Sequence, residues 1–266
     1  MKFFYSSHYQ KNQKLIQSEL FNELILYLVK HQPPILRELK QKFPQKDFEK
    51  KLDQLIEVGV IERNNRRYHL GFTIYSKEDQ QQRRQVLQGV SPKSLPEVLS
   101  LLGQPRSDEA KFFYACEEDV LQGYAHFLVH ESFTLLSLSQ EKWPMTIPAY
   151  FAANRQLLSL PVYQEMLDII GDVDEVYYLD QVSVIFERVM KQRKIRPSIF
   201  LTSLVKYTVL TETHQFNLPL VNPETIREEK EFAEMTEFDR RTLLADYLEN
   251  VDRLQNLLIS KMIKIS

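Results

Sequence analysis

A mainly α protein is what the sequence predicts, with an N-terminal helix-turn-helix that ends in a small β-hairpin and a larger, mostly helical C-terminal domain. Three observations lead there. Only six glycines accompany twelve prolines, which favours helices punctuated by proline over a hairpin-rich sheet. Apolar residues recur at i, i+4 spacing through much of the chain. One stretch, VIERNNRRYHL, sets two short extended runs about Asn64-Asn65 directly after two helical segments.

Composition bounds the rest. A chain of 266 residues, 43% hydrophobic and 26% charged, can bury a real core in one or two domains. Cys116 is the only cysteine, so no internal disulfide can form and a reducing compartment is favoured. The start, MKFFYSSHYQ, lacks the apolar region of a signal peptide, and the longest apolar run, residues 24–29, is too short to span a bilayer. The expectation is a cytoplasmic protein with no membrane partner. The net charge of −2 hides opposite halves: residues 1–90 hold 16 Lys+Arg against 10 Asp+Glu, and the remainder 18 against 26. A basic front half fits a nucleic-acid-facing module; it also fits two halves that attract each other.

In chain order, residues 18–31 place Leu20, Phe21, Leu24 and Leu28 on one helical face behind Ser18 as N-cap. Pro33-Pro34 stops that helix. Residues 35–43 form a second, with Ile35, Leu36, Leu39 and Phe43 inward, and Pro44 breaks it. The third helix runs from about 46 to 58: Phe48, Leu52, Leu55 and Ile56 pack, while Lys46, Glu49, Lys50, Asp53, Gln54 and Glu57 face out and Gly59 ends it. An Asn64-Asn65 turn then pairs Ile61 with Tyr68, Glu62 with Arg67 and Arg63 with Arg66. Two arginines opposed at the tip would repel, and a phosphate between them would relieve the repulsion; splaying into water is the plainer alternative.

Helix, turn, helix and hairpin over residues 18–72 resemble the winged helix-turn-helix class. The stretch ILRELKQKFP followed by VIERNNRRYHL is also similar to a family of Gram-positive bacterial proteins that brings no known activity with it. The resemblance implies DNA binding through the third helix and the wing, and so implicates Lys46, Lys50, Gln54, Arg63, Arg66 and Arg67. Carboxylates at Glu49, Asp53 and Glu57 work against a phosphate-lined groove. Many winged domains bind proteins instead.

The domain boundaries read as 15–75 for the winged domain, 76–90 for a polar linker and 91–266 for the mainly helical domain. Ser94 and Glu97 signal a capped helix closed by Gly103 and Pro105. Residues 110–130 read as a helix and 133–138 (FTLLSL) as a short strand. Helices follow at 149–158, 162–170 and 181–193, and helix is favoured over 198–213. From Thr236 a terminal helix carries Leu244, Val251, Leu258 and Ile265 at heptad spacing. That stripe is either an internal docking face or the seam of a homodimer.

Chemical candidates in this half are sparse. His126 and His130, four apart, could share a metal on a helix, but no third ligand stands out; interior histidines are the plainer reading. Asp172, Asp174 and Glu175 lack the remaining positions of a calcium loop. Cys116 sits among aromatics and reads as a small core residue. Lys191, Arg193, Lys194 and Arg196 form a basic run suited to a helix C-terminus or to a second nucleic-acid contact. No phosphate loop, dinucleotide fingerprint or nucleophile elbow is present, so no catalytic residue, metal or cofactor is expected. The leading expectation is a non-enzymatic DNA-binding protein, a transcriptional regulator among the options. A scaffold that binds a protein partner is the alternative, and an enzyme with a dispersed site comes third.

Overall fold

The computed structural model describes residues 1–102, 111–226, 232, 234–251 and 255–260. Among these, about half are helical, in eleven helices, and several small sheets accompany them, so the fold is mixed α/β. The chain forms two units. The first comprises Met1–Gln82 and Arg106–Val120, the second Arg83–Pro105 and Leu121–Ser266.

The first unit is built on helices α1 (Gln13–Ile16), α2 (Glu19–Lys30), α3 (Leu36–Lys42) and α4 (Phe48–Glu57). Ser18 caps α2, its hydroxyl accepting from the Phe21 amide at 3.2 Å. Glu38 reaches back to the Ile35 amide at 2.8 Å to start α3. Phe21, Leu24, Ile25, Leu39, Phe43, Phe48, Leu52, Leu55, Ile61 and Tyr68 share one buried cluster, as the i, i+4 spacing requires.

The hairpin pairs β2 (Ile61–Asn64) with β3 (Arg67–Leu70), and its register differs from the expected one. Ile61 faces Leu70, Arg63 faces Tyr68 and Asn64 faces Arg67. The turn residues are therefore Asn65 and Arg66, with φ of 51° and 64°, the positive pair that a type I′ turn needs. Both registers keep Ile61, Tyr68 and Leu70 on one face, so alternation could not choose between them. Tertiary contacts choose: the Tyr68 amide donates to the Pro34 carbonyl at 3.0 Å, and Arg67 Nη1 donates to the Pro33 carbonyl at 2.7 Å.

Gly59 and Gly71 close the hairpin's base. Gly59 takes φ +78° and ends α4: its amide donates to Ile56, and that of Val60 to Leu55, a Schellman arrangement. A Cβ on Gly71 would stand 2.1 Å from the Gly59 carbonyl oxygen. Gly71→Ala is expected to cost about 1–3 kcal/mol as an overpacked site, measured by chemical denaturation, because the obstacle is backbone and cannot rotate away.

A three-stranded sheet completes this unit. β4 (Thr73–Tyr75) and β1 (Lys2–Tyr5) flank β5 (Phe113–Cys116), parallel and antiparallel respectively. Cys116 is buried there. β5 falls inside residues 110–130, read above as one helix. Apolar positions four apart satisfy period 2 as well as period 3.6, and the decisive strand partners lie far away in sequence.

Residues 77–87, expected within a polar linker, form helix α5 (Lys77–Leu87); the division between units falls within it. Ser76 and Asp79 cap each other, Asp79 N to Ser76 Oγ at 3.0 Å and Ser76 N to Asp79 Oδ2 at 2.8 Å. Fully buried Gln80 donates to the Glu118 carbonyl at 2.8 Å.

The second unit centres on a sheet where mostly helix was expected. β6 (Tyr124–His130), β7 (Phe133–Ser139), β9 (Gln255–Ser260) and β8 (Leu220–Val221) lie in that order. The short apolar run at 133–138 is a strand as expected, and β7 is buried along its whole length. Phe133 and Leu135 pack with α7 (Ile147–Arg155), α8 (Gln164–Ile170), α9 (Glu175–Met190) and α10 (Ile199–Lys206). Leu136 and Leu138 pack with α6 (Leu95–Leu102) and α11 (Glu237–Glu249). A strand covered on both faces reads as a continuous apolar run.

Two further expectations are corrected. α11, capped by Thr236 at 3.1 Å, ends at Glu249, and Leu258 lies on β9. Leu244, Tyr247, Leu248 and Leu258 are buried inside the unit, so these members of the series form an internal docking face and do not run along one helix; Ile265 lies outside the described residues, as do Gly103 and Pro105. His126 and His130 stand on a strand. His126 Nε2 contacts the Lys142 carbonyl at 2.7 Å, and His130 contacts Ser132 Oγ at 2.8 Å and Asp180 at 3.4 Å. Among the described residues no group of three or more His, Cys, Asp or Glu is placed to hold a metal, and no helix is long and apolar enough to cross a membrane.

Candidate nucleic-acid interface

All six residues singled out in the sequence, Lys46, Lys50, Gln54, Arg63, Arg66 and Arg67, are exposed, but they are not equivalent. Phe48, Leu52 and Leu55 turn inward and fix the rotation of α4. Lys50 and Gln54 therefore point outward, while Lys46 precedes the helix. Glu57 follows Lys50 by seven residues and shares its azimuth to about 20°, so the outward stripe carries both signs.

Two ion pairs absorb other charges. Lys40 on α3 holds Glu49 at 2.7 Å, a partnership between helices that sequence spacing does not suggest. Lys51 holds Asp47 at 2.7 Å, and its hydrogen bond keeps the Asp47 carboxyl below the usual range. Both pairs are exposed and screened by water, so neither is a significant source of stability. Their effect is on charge: Glu49, which argued against a groove, is neutralised in place, whereas Asp53 and Glu57 stay on the outer side of α4.

The hairpin divides its three arginines by role. Arg67 is a latch through its bond to Pro33. Arg63 lies over its cross-strand partner Tyr68, 5.7 Å from guanidinium to ring centre, an amphipathic contact that leaves the charged head in water. Arg66 occupies the tip. The opposed Arg63–Arg66 pair is absent, and with it goes the phosphate clamp drawn from that pairing. Over residues 35–72 nine Lys+Arg stand against six Asp+Glu, a modest positive balance concentrated at the hairpin end.

A family model described as a domain of unknown function, DUF1803, matches residues 2–102. That match takes in α1 to α6 and the hairpin and stops before the sheet of the second unit. No curated protein and no solved structure matches the chain.

Proposed function

We propose that the first unit is a winged helix-turn-helix module that binds duplex DNA, with the hairpin tip as its principal contact and α4 as a secondary one. The observation that carries this is Arg66. A left-handed backbone costs a residue with a side chain roughly 1–2 kcal/mol, and the second position of a type I′ turn is where glycine is preferred. An arginine held there at φ 64° puts a cation at the exposed turn of the hairpin against local conformational preference. Strain of this kind is a reason to look for function. Phosphodiester binding supplies the missing return, since guanidinium forks pair with phosphate oxygens.

Arg66→Gly separates the two roles. The variant is expected to keep or raise stability while its duplex affinity falls and the slope of log K against log salt shrinks by about one. Unchanged affinity and slope in titrations of mixed-sequence duplex would sink the reading. Regulation of transcription follows only if such binding is sequence-selective.

A protein-binding role is the second reading, and the outward stripe of α4 favours it. Lys50 beside Asp53 and Glu57 offers paired charges of both signs, which suits a polypeptide surface better than a phosphate-lined groove. Charge reversal at Asp53 and Glu57 discriminates: it strengthens DNA binding under the first reading and abolishes partner binding under the second.

A further inference from the structure

The second unit carries a cationic surface that its fold uses only in part. α9 ends at Met190, and the chain turns back on it. The Gln192 amide donates to the Val189 carbonyl at 3.0 Å and the Arg193 amide to the Arg188 carbonyl at 2.8 Å, with Gln192 at φ 49°. Arg188 Nη1 donates to the Lys194 carbonyl at 3.0 Å, and Ile195 is buried. The loop is thus anchored at both ends of its arc. Arg188, Lys191, Arg193, Lys194 and Arg196 are all exposed. The single carboxylate among residues 187–196 is Glu187, bonded to Lys191 and held below its ordinary range by that bond and by the charges of Lys191, Arg193 and Arg188.

Cations at a helix C-terminus have an ordinary explanation, the helix dipole. That dipole amounts to about half a negative charge, while this segment carries four positive charges in excess of Glu187. Among the described residues no carboxylate lies within ion-pair distance of Arg193, Lys194 or Arg196. The surplus is notable because residues 91–266 are acidic as a whole.

We propose that the loop at residues 191–196, with Arg188, is a backbone-binding surface for double-stranded nucleic acid, independent of the hairpin. Three of its five cations are arginines, whose planar forks engage phosphates in two bonds. Residues 187–199 contain no aromatic, so the stacking platforms that hold single strands are lacking. The loop's own apolar residue, Ile195, is turned into the core, which leaves nothing on the loop to insert into a lipid surface. Such a surface reads charge spacing and carries no sequence selectivity.

The test uses the full chain, a short mixed-sequence duplex and anisotropy titrations across a salt series. Arg193, Lys194 and Arg196 are replaced together by alanine; none has an ion-pair partner to lose among the described residues, and a thermal melt verifies the fold. The triple variant is expected to bind about tenfold or more weakly at low salt, with the salt slope reduced by about three. An unchanged slope beside a loss in Arg66→Gly overturns the loop and leaves the hairpin reading intact. The converse pattern supports the loop and overturns the hairpin. Absence of duplex binding by the parent chain at low salt overturns both. Loop-dependent binding to phosphatidylserine vesicles without duplex binding also overturns the proposal, in favour of a lipid surface.

Discussion

Lowering the pH from 6.5 to 4 is expected to remove roughly 3 kcal/mol of stability through one residue, His126, whose folded value lies at about 4. Burial is the main cause of the depression; Arg155 and Lys142 add to it, and the bond to the Lys142 carbonyl opposes it. The ring stacks against Trp143 at 5.4 Å between centres. Its Nε2 must carry the hydrogen that the carbonyl accepts. In the unfolded chain the ring takes a proton near its ordinary value of 6.5, so between 6.5 and 4 the unfolded state binds more protons than the folded one. The contribution is complete above pH 6.5 and is lost as the pH falls through that window. His126→Gln, which retains a donor for Lys142, isolates it. Denaturation profiles of parent and variant should diverge as pH drops from 6.5 towards 4, and parallel profiles would exclude His126 as the cause.

Phe48→Ala is expected to cost about 3–5 kcal/mol, the range for deleting a buried aromatic, and to lower duplex affinity with it. Phe48 is 2% exposed and stacks on Phe43 at 5.2 Å and 17°. It begins α4, so it sets the rotation that turns Lys50 and Gln54 outward. Lys50→Ala, an exposed change, should stay within about 0.5 kcal/mol in stability. Comparing the two shows whether α4 acts through its own contacts or only as the support for the hairpin. A cost below about 1 kcal/mol for Phe48→Ala would mean that the site collapses without a cavity and that α4 is oriented by other contacts.

Local rules made much of the first unit and the start of α11 in the second legible. Ser18 and Thr236 cap because a side-chain oxygen can satisfy an amide within three residues. Gly59 ends α4 because a left-handed residue is needed at that point. The buried face of α4 follows from spacing alone, and Cys116 reads as core from its aromatic neighbours. Each of these depends on residues a few positions apart.

The site was less legible. Lys46, Lys50, Gln54 and the arginines could be listed from sequence, yet Arg67 proved to be a latch and Arg66 the tip, because both hairpin registers hide the same three apolar side chains. The neutralising Lys40 gave no signal, since its partner Glu49 sits on a different helix.

What the sequence determined by itself, then, is the set of elements whose hydrogen bonds and apolar faces are satisfied locally: α2, α3, α4, the caps at Ser18 and Gly59, and the existence of a hairpin. Only the tertiary structure decided the hairpin register, the strands within residues 110–130 and the end of α11. Strand pairing draws its hydrogen bonds from partners distant in the chain, as β5 does from β1 and β4. An apolar residue every fourth position serves a helix or a strand equally well until those partners are in place.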